Sequence, residues 1–295
     1  MAAIRFLLNP AGGGGRARRQ EPLLARLAAE SGAALEVSES PEDLTARARR
    51  AAEEGVERLV VAGGDGTQNL ALQGLVGTSC AHIPLPLGSG NDIAASLGLV
   101  GKELEPLVRR ALEAPLRRID VARAGGRYYA AIAGVGFDSA ANETANRVKH
   151  FRGPWIYLYA VGHTLATFRA PRFEITFEGG RFEGRALLTA AANGPRFGGG
   201  MRIAPEARLD DGLLDLVLVR QVPTPTFLRV FPKVYKGSHL GHPAVFTARS
   251  PWLEVRLDRP LAVYGDGERF LEVGPEGVRF EAVPQALLVP DLRAA

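Results

Sequence analysis

Val60-Val61-Ala62-Gly63-Gly64-Asp65-Gly66-Thr67 is an apolar run that ends in three glycines around one acid, with Thr67 opening a helical pattern. The run reads as a buried strand and Thr67 as the start of a helix. Glycines let a backbone approach phosphate closely, and a helix N-terminus offers free N–H groups and a positive dipole end. Gly-Gly-Asp-Gly-Thr is denser in glycine than an ordinary strand-to-helix turn needs, which favours a phosphate-binding role. A lone Asp65 would repel phosphate, so it acts through a metal or by accepting hydrogen bonds that hold the loop.

The same arrangement recurs on either side. Residues 4–8 form a short apolar run followed by Asn9-Pro10-Ala11-Gly12-Gly13-Gly14-Gly15-Arg16. No Gly-Lys-Ser/Thr follows, so this is not a Walker A loop. Alone it fits a flexible loop as well as a phosphate cradle with Arg16 and Arg18 as counter-charges. Residues 83–87 form another strand, followed by Gly88-Ser89-Gly90-Asn91-Asp92. Between these strands lie Leu23, Leu24 and Leu27 at helical spacing, an apolar run at 35–37, and the helix start Ser40-Pro41-Glu42-Asp43. Alternating strands and helices predict an α/β domain with a parallel sheet over residues 1–120. In such sheets ligands collect beyond the carboxyl ends of the strands, where all three glycine loops converge.

After Leu116 the pattern changes. Residues 117–123 and 127–133 flank Ala124-Gly125-Gly126 and read as a β-hairpin. Further strands are expected at 173–177, 182–192, 213–220, 253–257, 261–264 and 278–283, with helical stretches at 143–168 and 226–236. This predicts a mainly antiparallel β-sandwich over 121–283, with the tail 284–295 returning to the first domain and a cleft between the two. Its turns include Gly134-Val135-Gly136-Phe137-Asp138, the glycine-rich 193–200, Ala207-Arg208-Leu209-Asp210-Asp211-Gly212, and Gly265-Asp266-Gly267-Glu268. A carboxylate in the last could deprotonate a hydroxyl, although alone it is a hairpin turn.

Bulk properties narrow the class. Lys plus Arg total 36 against 32 acids, a charge of +4 with pI about 9.4, which suits an acidic partner such as a nucleotide or an anionic membrane. Charge alone favours the plainer reading, a solubilising arginine-rich surface. Cys80 is the single cysteine, so no disulfide framework forms within the chain, compatible with a reducing cytoplasm. No apolar stretch approaches the length of a membrane span, so any membrane contact is expected to be peripheral. Phe151-Arg152-Gly153-Pro154-Trp155-Ile156-Tyr157-Leu158-Tyr159 combines aromatics with a basic residue. It suits a membrane interface, and a core helix slightly better.

Together, Gly63-Gly64-Asp65-Gly66-Thr67, Pro86-Leu87-Gly88-Ser89-Gly90-Asn91-Asp92 and the order of the later motifs resemble the diacylglycerol kinase catalytic domain family, over nearly the whole chain. That family also holds sphingosine-type and bacterial soluble lipid kinases. The resemblance implies an N-terminal α/β nucleotide-binding domain related to phosphofructokinase and NAD kinase, a C-terminal β-sandwich, and ATP with Mg²⁺ between them. It implies nucleotide contacts from Asn9, Pro10, Gly12, Gly13, Gly63, Gly64, Asp65, Gly66, Thr67, Asn69, Gly88, Ser89, Asn91 and Asp92. Glu268 is implied as the proton acceptor, with Asp266 and Asp65 also catalytic, although Asp266 reads as a turn-former that asparagine could replace. Arg208, Asp211 and Leu213 match a structural magnesium site, the first and last through their carbonyls only. The implied reaction is ATP-dependent phosphorylation of a membrane lipid, with diacylglycerol foremost and phosphatidylglycerol, ceramide or a long-chain base as alternatives. The expected setting is the cytoplasm with peripheral contact to an anionic membrane, without nucleic acid; a homodimer is left open. An NAD kinase-like enzyme and a non-catalytic nucleotide-binding regulator are the rival readings.

Overall fold

A computed structural model describes residues 3–101, 103–137, 139–140, 164 and 167–293. The expected helix over 143–168, the aromatic stretch 151–159 and Asp138 fall wholly or largely outside the described residues. The first domain is a parallel sheet of β1 (Ile4–Leu8), β2 (Ala34–Val37), β3 (Arg58–Gly63) and β4 (Ala81–Pro86) in the order β2-β1-β3-β4. Apolar residues fill its centre: Phe6, Leu7, Leu8, Leu59, Val60, Val61, Ile83 and Leu85 are all buried. Buried on both faces, such strands read as continuous apolar runs, and these do.

Helices cover the sheet. In α2 (Glu21–Glu30) the buried residues are Leu24, Leu27 and Ala28, one face at helical spacing. In α3 (Pro41–Glu53) the Ser40 hydroxyl accepts the Asp43 N–H, capping the helix, and Leu44, Ala48 and Ala51 face inward. The four-glycine run opens α1 (Gly12–Arg19), but Gly13, Gly14 and Gly15 have φ of 61°, 66° and 87°. Regular helix therefore begins only beyond them. Then come α4 (Asp65–Leu75) behind β3, α5 (Asp92–Ser96) behind β4, and α6 (Leu104–Glu113).

The second domain is a sandwich of antiparallel strands. One layer holds β5 (Leu116–Ala124), β6 (Arg127–Tyr129), β8 (Arg172–Phe177), β12 (Trp252–Leu257) and β15 (Val278–Pro290). The other holds β7 (Ile132–Gly136), β10 (Leu214–Arg220), β11 (Val245–Ser250), β13 (Leu261–Gly265) and β14 (Glu268–Val273). The long β9 (Gly180–Ala192) joins them: its first half pairs with β8, its second with β7 and β10. Leu214, Leu216, Leu218, Leu253, Val255, Phe173 and Phe280 pack between the layers. A short helix, α7 (Thr224–Val230), continues into a 3₁₀ turn, Phe231–Lys236, on the outside.

The hairpin expected over 117–133 is a shorter one plus a separate strand. β5 pairs with β6 only through Tyr129, and β7 starts anew at Ile132 to pair with β9 and β13. The chain breaks there because the N–H groups of Ala130 and Ala131 donate to the Asp266 carboxylate rather than to a strand. β15 binds the domains together: its Leu287–Pro290 segment pairs with β5, and Gly77 N–H donates to Ala286 O at 2.8 Å.

Candidate active site

The loops after β1, β3 and β4 meet at the carboxyl edge of the parallel sheet. They approach so closely that a Cβ on Gly12 would lie 3.2 Å from Gly63 Cα, and one on Gly64 2.9 Å from Gly88 Cα. Side chains then tie the loops to one another. Asn9 Nδ2 donates to Thr67 Oγ1 at 2.9 Å, and Asn9 Oδ1 accepts the Ala11 N–H. Asn91, at φ 59°, closes its own loop: Oδ1 accepts the Gly88 N–H and Nδ2 donates to Gly88 O. Arg16 reaches from α1 to donate to Gly88 O and Ser89 Oγ.

Asp65 holds the β4 loop from the β3 side. Its oxygens accept the N–H groups of Asn91 at 2.6 Å and Ile93 at 3.2 Å. Of the two roles the sequence allows it, the loop-holding one is visible. Burial pushes its carboxyl up to about 6, with Asp92 and Asp266 adding to the rise and the two N–H donors opposing it. Asp92 reaches across the cleft, accepting Gly199 N–H at 2.8 Å and Gly200 N–H at 2.9 Å from the second domain's glycine loop.

The opposite wall is the turn between β13 and β14. Asp266 is 4% exposed, and its two oxygens accept four donors: Asn69 Nδ2 at 2.9 Å and the N–H groups of Ala130, Ala131 and Ile132 at 2.8, 2.9 and 3.3 Å. The expectation of a tolerant turn residue is therefore corrected. Asp266 is an interior anchor that joins α4 of the first domain to the β6–β7 break of the second. Burial pushes its carboxyl upward, and the four donors pull against that shift. Its φ of 50° is uncommon for a non-glycine residue, and aspartate is among the side chains that tolerate it. Two residues on, Glu268 is exposed, accepts no hydrogen bond from the described residues, and stands over Gly66 so closely that a Cβ there would strike its Oε1.

Between the walls lies a cavity of about 430 Å³, lined by Asp65, Gly66, Ser89, Gly90, Asp92, Ile93, Ala131, Phe197, Gly198, Gly199, Asp266, Gly267 and Glu268. Four carboxylates and, among the described residues, no lysine or arginine line it, so a bare triphosphate would be repelled by these carboxylates, whereas its complex with a divalent cation would not. Glu268 alone among the four keeps an unengaged carboxylate. Of the other sequence candidates, Asn9 bonds Thr67, Gly12 approaches Gly63, Gly13 approaches Leu87 O and Gly64 approaches Gly88, with Pro10 at the first loop's start. Asn69 is buried on Asp266 and Tyr128 O.

Arg208, Asp211 and Leu213 lie in the turn before β10, away from the cavity. Asp211 Oδ1 accepts the Leu213 N–H, Oδ2 is paired with Arg249, and the Arg208 guanidinium turns to Asp210. With both oxygens of its one carboxylate taken, this set does not fit a cation as it stands; Arg249 already supplies the positive charge. Among the described residues no three His, Cys, Asp or Glu side chains converge as a metal centre.

Sequence reasoning missed Asp120 and Asn193. Asp120, 1% exposed, accepts Gly212 N–H at 2.6 Å and Gln285 N–H at 2.8 Å, and Asn193 Nδ2 donates to Asp120 O and Ala130 O. The one signal was an acid set between the apolar residues Ile119 and Val121 of β5.

Comparison with known proteins agrees with this architecture. Residues 3–124 match the family model described as "Diacylglycerol kinase catalytic domain", and residues 131–290 the one described as "YegS C-terminal NAD kinase beta sandwich-like domain". A protein named diacylglycerol kinase from Mycobacterium tuberculosis is 33% identical over 242 residues, 80% of this chain and 77% of that protein. One named "Probable lipid kinase YegS-like" from Chromohalobacter salexigens is 33% identical over 245 residues, 81% of this chain and 78% of its own. A crystal structure of a diacylglycerol kinase from Bacillus anthracis superposes with a TM-score of 0.71 over 99% of this chain and 98% of that one, at 19% identity, which speaks for the fold. The chain therefore belongs to the diacylglycerol kinase catalytic domain family and is a lipid kinase.

Proposed function

We propose that the enzyme transfers the γ-phosphoryl group of ATP to the free hydroxyl of diacylglycerol, giving phosphatidic acid. The observation that carries the chemistry is Glu268, an unengaged carboxylate standing over Gly66 at the mouth of the glycine loops. The choice of lipid is supported by the name of the Mycobacterium tuberculosis relative.

Phosphoryl transfer asks a protein mainly for positioning and charge compensation. The N–H groups at the start of α4 and the glycines around Gly64 and Gly88 orient the phosphates. When bound with ATP, Mg²⁺ would be held beside the lining carboxylates Asp65, Asp92 and Glu268 and would offset the charge of the phosphates. Glu268 takes the hydroxyl proton as the oxygen attacks phosphorus, and Asp266, through Asn69 and the Ala130–Ala131 break, fixes the turn that carries Glu268.

Incubation with labelled ATP, Mg²⁺ and detergent micelles of diacylglycerol, phosphatidylglycerol, ceramide or a long-chain base tests the reading, with NAD as the soluble rival. Labelled phosphatidic acid is the expected product. Preferential labelling of another lipid replaces the substrate, and transfer to NAD alone refutes the lipid assignment for this chain. ATP binding with no transfer to any acceptor would favour a regulator.

A further inference from the structure

We propose that the outer segment formed by α7 and the 3₁₀ turn, Thr224 to Lys236, docks the enzyme on an anionic membrane. The proposal rests on the lipid-kinase reading for its purpose, and on the segment's own surface for its evidence. Among the described residues the large exposed hydrophobics are Val100, Leu228 and Tyr235, and two of these three are here, at 53% and 52% exposure. Phe227 and Val234 anchor the segment inward at 5% and 4%, and Phe227 packs on Phe137 and Phe231 with ring centres 5.1 and 5.4 Å apart. Leu228 and Tyr235 therefore stand on a firm base and are not loosely packed core.

The exposed face of the segment is also basic. The chain's lysines are Lys102, Lys149, Lys233 and Lys236, and the last two sit beside Arg229 in this segment. Among the described residues none of Lys233, Lys236 and Arg229 has an ion pair or side-chain hydrogen bond. Arg26, Arg47 and Arg109, by contrast, each hold two carboxylates. No Asp or Glu occurs between Asp215 and Glu254. Uncompensated cations beside a protruding leucine and tyrosine match a bilayer surface, where the apolar tips enter the headgroup boundary and the cations meet lipid phosphates. A second copy of the chain fits worse, because a two-fold contact would set these cations against themselves. A nucleic acid would use the cations but gain nothing from Leu228.

The segment is tied to a loop that lines the catalytic cavity. Arg202 N–H donates to Val234 O at 3.0 Å, and the hairpin that Arg202 leaves, bridged at Phe197 and Met201, carries Gly198 and Gly199 of the cavity lining. One short loop thus joins the docking surface to the rim that a lipid headgroup must cross.

Sedimentation of the full chain with phosphatidylcholine vesicles, with and without phosphatidylglycerol and without ATP, tests this. Wild type should bind the anionic vesicles, less so as salt rises. Each cation near such a surface adds about fivefold to binding. The Lys233→Glu/Lys236→Glu and Leu228→Ser/Tyr235→Ser pairs should each lose at least about tenfold while unfolding at the wild-type temperature. If these pairs lose vesicle binding although no lipid is phosphorylated by wild type, the kinase reading fails and the docking surface stands. Several results overturn the docking surface: no binding by wild type, unchanged binding by both pairs, equal binding to an oligonucleotide, or a wild-type dimer that Leu228→Ser/Tyr235→Ser splits.

Discussion

On one wall of the cavity the loops after β1, β3 and β4 touch through glycine backbones, Gly12 on Gly63 and Gly64 on Gly88. Asn9, Asp65 and Asn91 lace them together within the first domain. On the other wall a single buried carboxylate, Asp266, gathers donors from four residues in two domains, and the exposed Glu268 is held two positions away. The first wall is shaped by the absence of side chains and the second by the satisfaction of one. Each should therefore fail in its own way: the first when a side chain is added, the second when an acceptor is lost.

Glu268→Gln is the severest test of the division, because it removes proton acceptance while keeping shape. General-base catalysis contributes about 10²–10⁴-fold, or roughly 3–5 kcal/mol of barrier. Steady-state rates on lipid micelles should fall by that order, with ATP affinity by calorimetry unchanged. A rate within a few-fold of wild type would remove Glu268 from the chemistry.

Asp266→Asn should act on the fold instead. An amide nitrogen cannot accept, and each buried N–H left without an acceptor costs about 1–3 kcal/mol. With two donors orphaned, stability to denaturant drops by about 2–6 kcal/mol, and catalysis falls with it. An unperturbed melting curve would return Asp266 to the status of an ordinary turn residue.

Gly64→Val breaks the first wall. The added carbon meets the Gly88 backbone, which has no side chain to swing away, so the two loops must part at about 1–3 kcal/mol. ATP binding should weaken while the β13–β14 turn keeps its structure. Gly66→Ala sharpens the contrast, since its new carbon meets only the flexible tip of Glu268 and should lower rate more than nucleotide affinity.

The smallest expected effect belongs to Asp65. Its folded pKa of about 6 lies above the usual 3.9, so its favourable contribution is complete below about pH 4 and disappears as pH rises through 6. Wild type should gain stability relative to Asp65→Asn as pH falls from 7 to 4, by about 1 kcal/mol once exposure to the cavity is discounted. A difference that stays flat across that window would contradict the shift.

The two walls also differed in how far they could be read in advance. Strand-then-glycine punctuation is local, so the loops at Gly63, Gly88 and Asn9 and their meeting at one sheet edge were legible. Gly265-Asp266-Gly267-Glu268 looked like a hairpin turn because Asp266's partners lie more than 130 positions away in sequence. The same distance hid the break at Ala130-Ala131 and merged β6 with β7. Asp120 and Asn193 escaped notice for a related reason: a polar residue inside a strand or at its end shows its purpose only when its partners are known.

β5 and β15 carry a consequence for how the chain is made. The register pairs Ala124 with Phe280, so β5 meets this neighbour 280 minus 124, or 156, residues later in synthesis. Until then its edge offers unpaired backbone groups to any passing strand. At about 5–20 residues per second, that exposure lasts roughly 8–30 seconds on the ribosome. Long-range pairing of this kind is slow to form and prone to aggregation, so the yield of folded enzyme should depend on translation speed and on chaperones that shield a nascent edge.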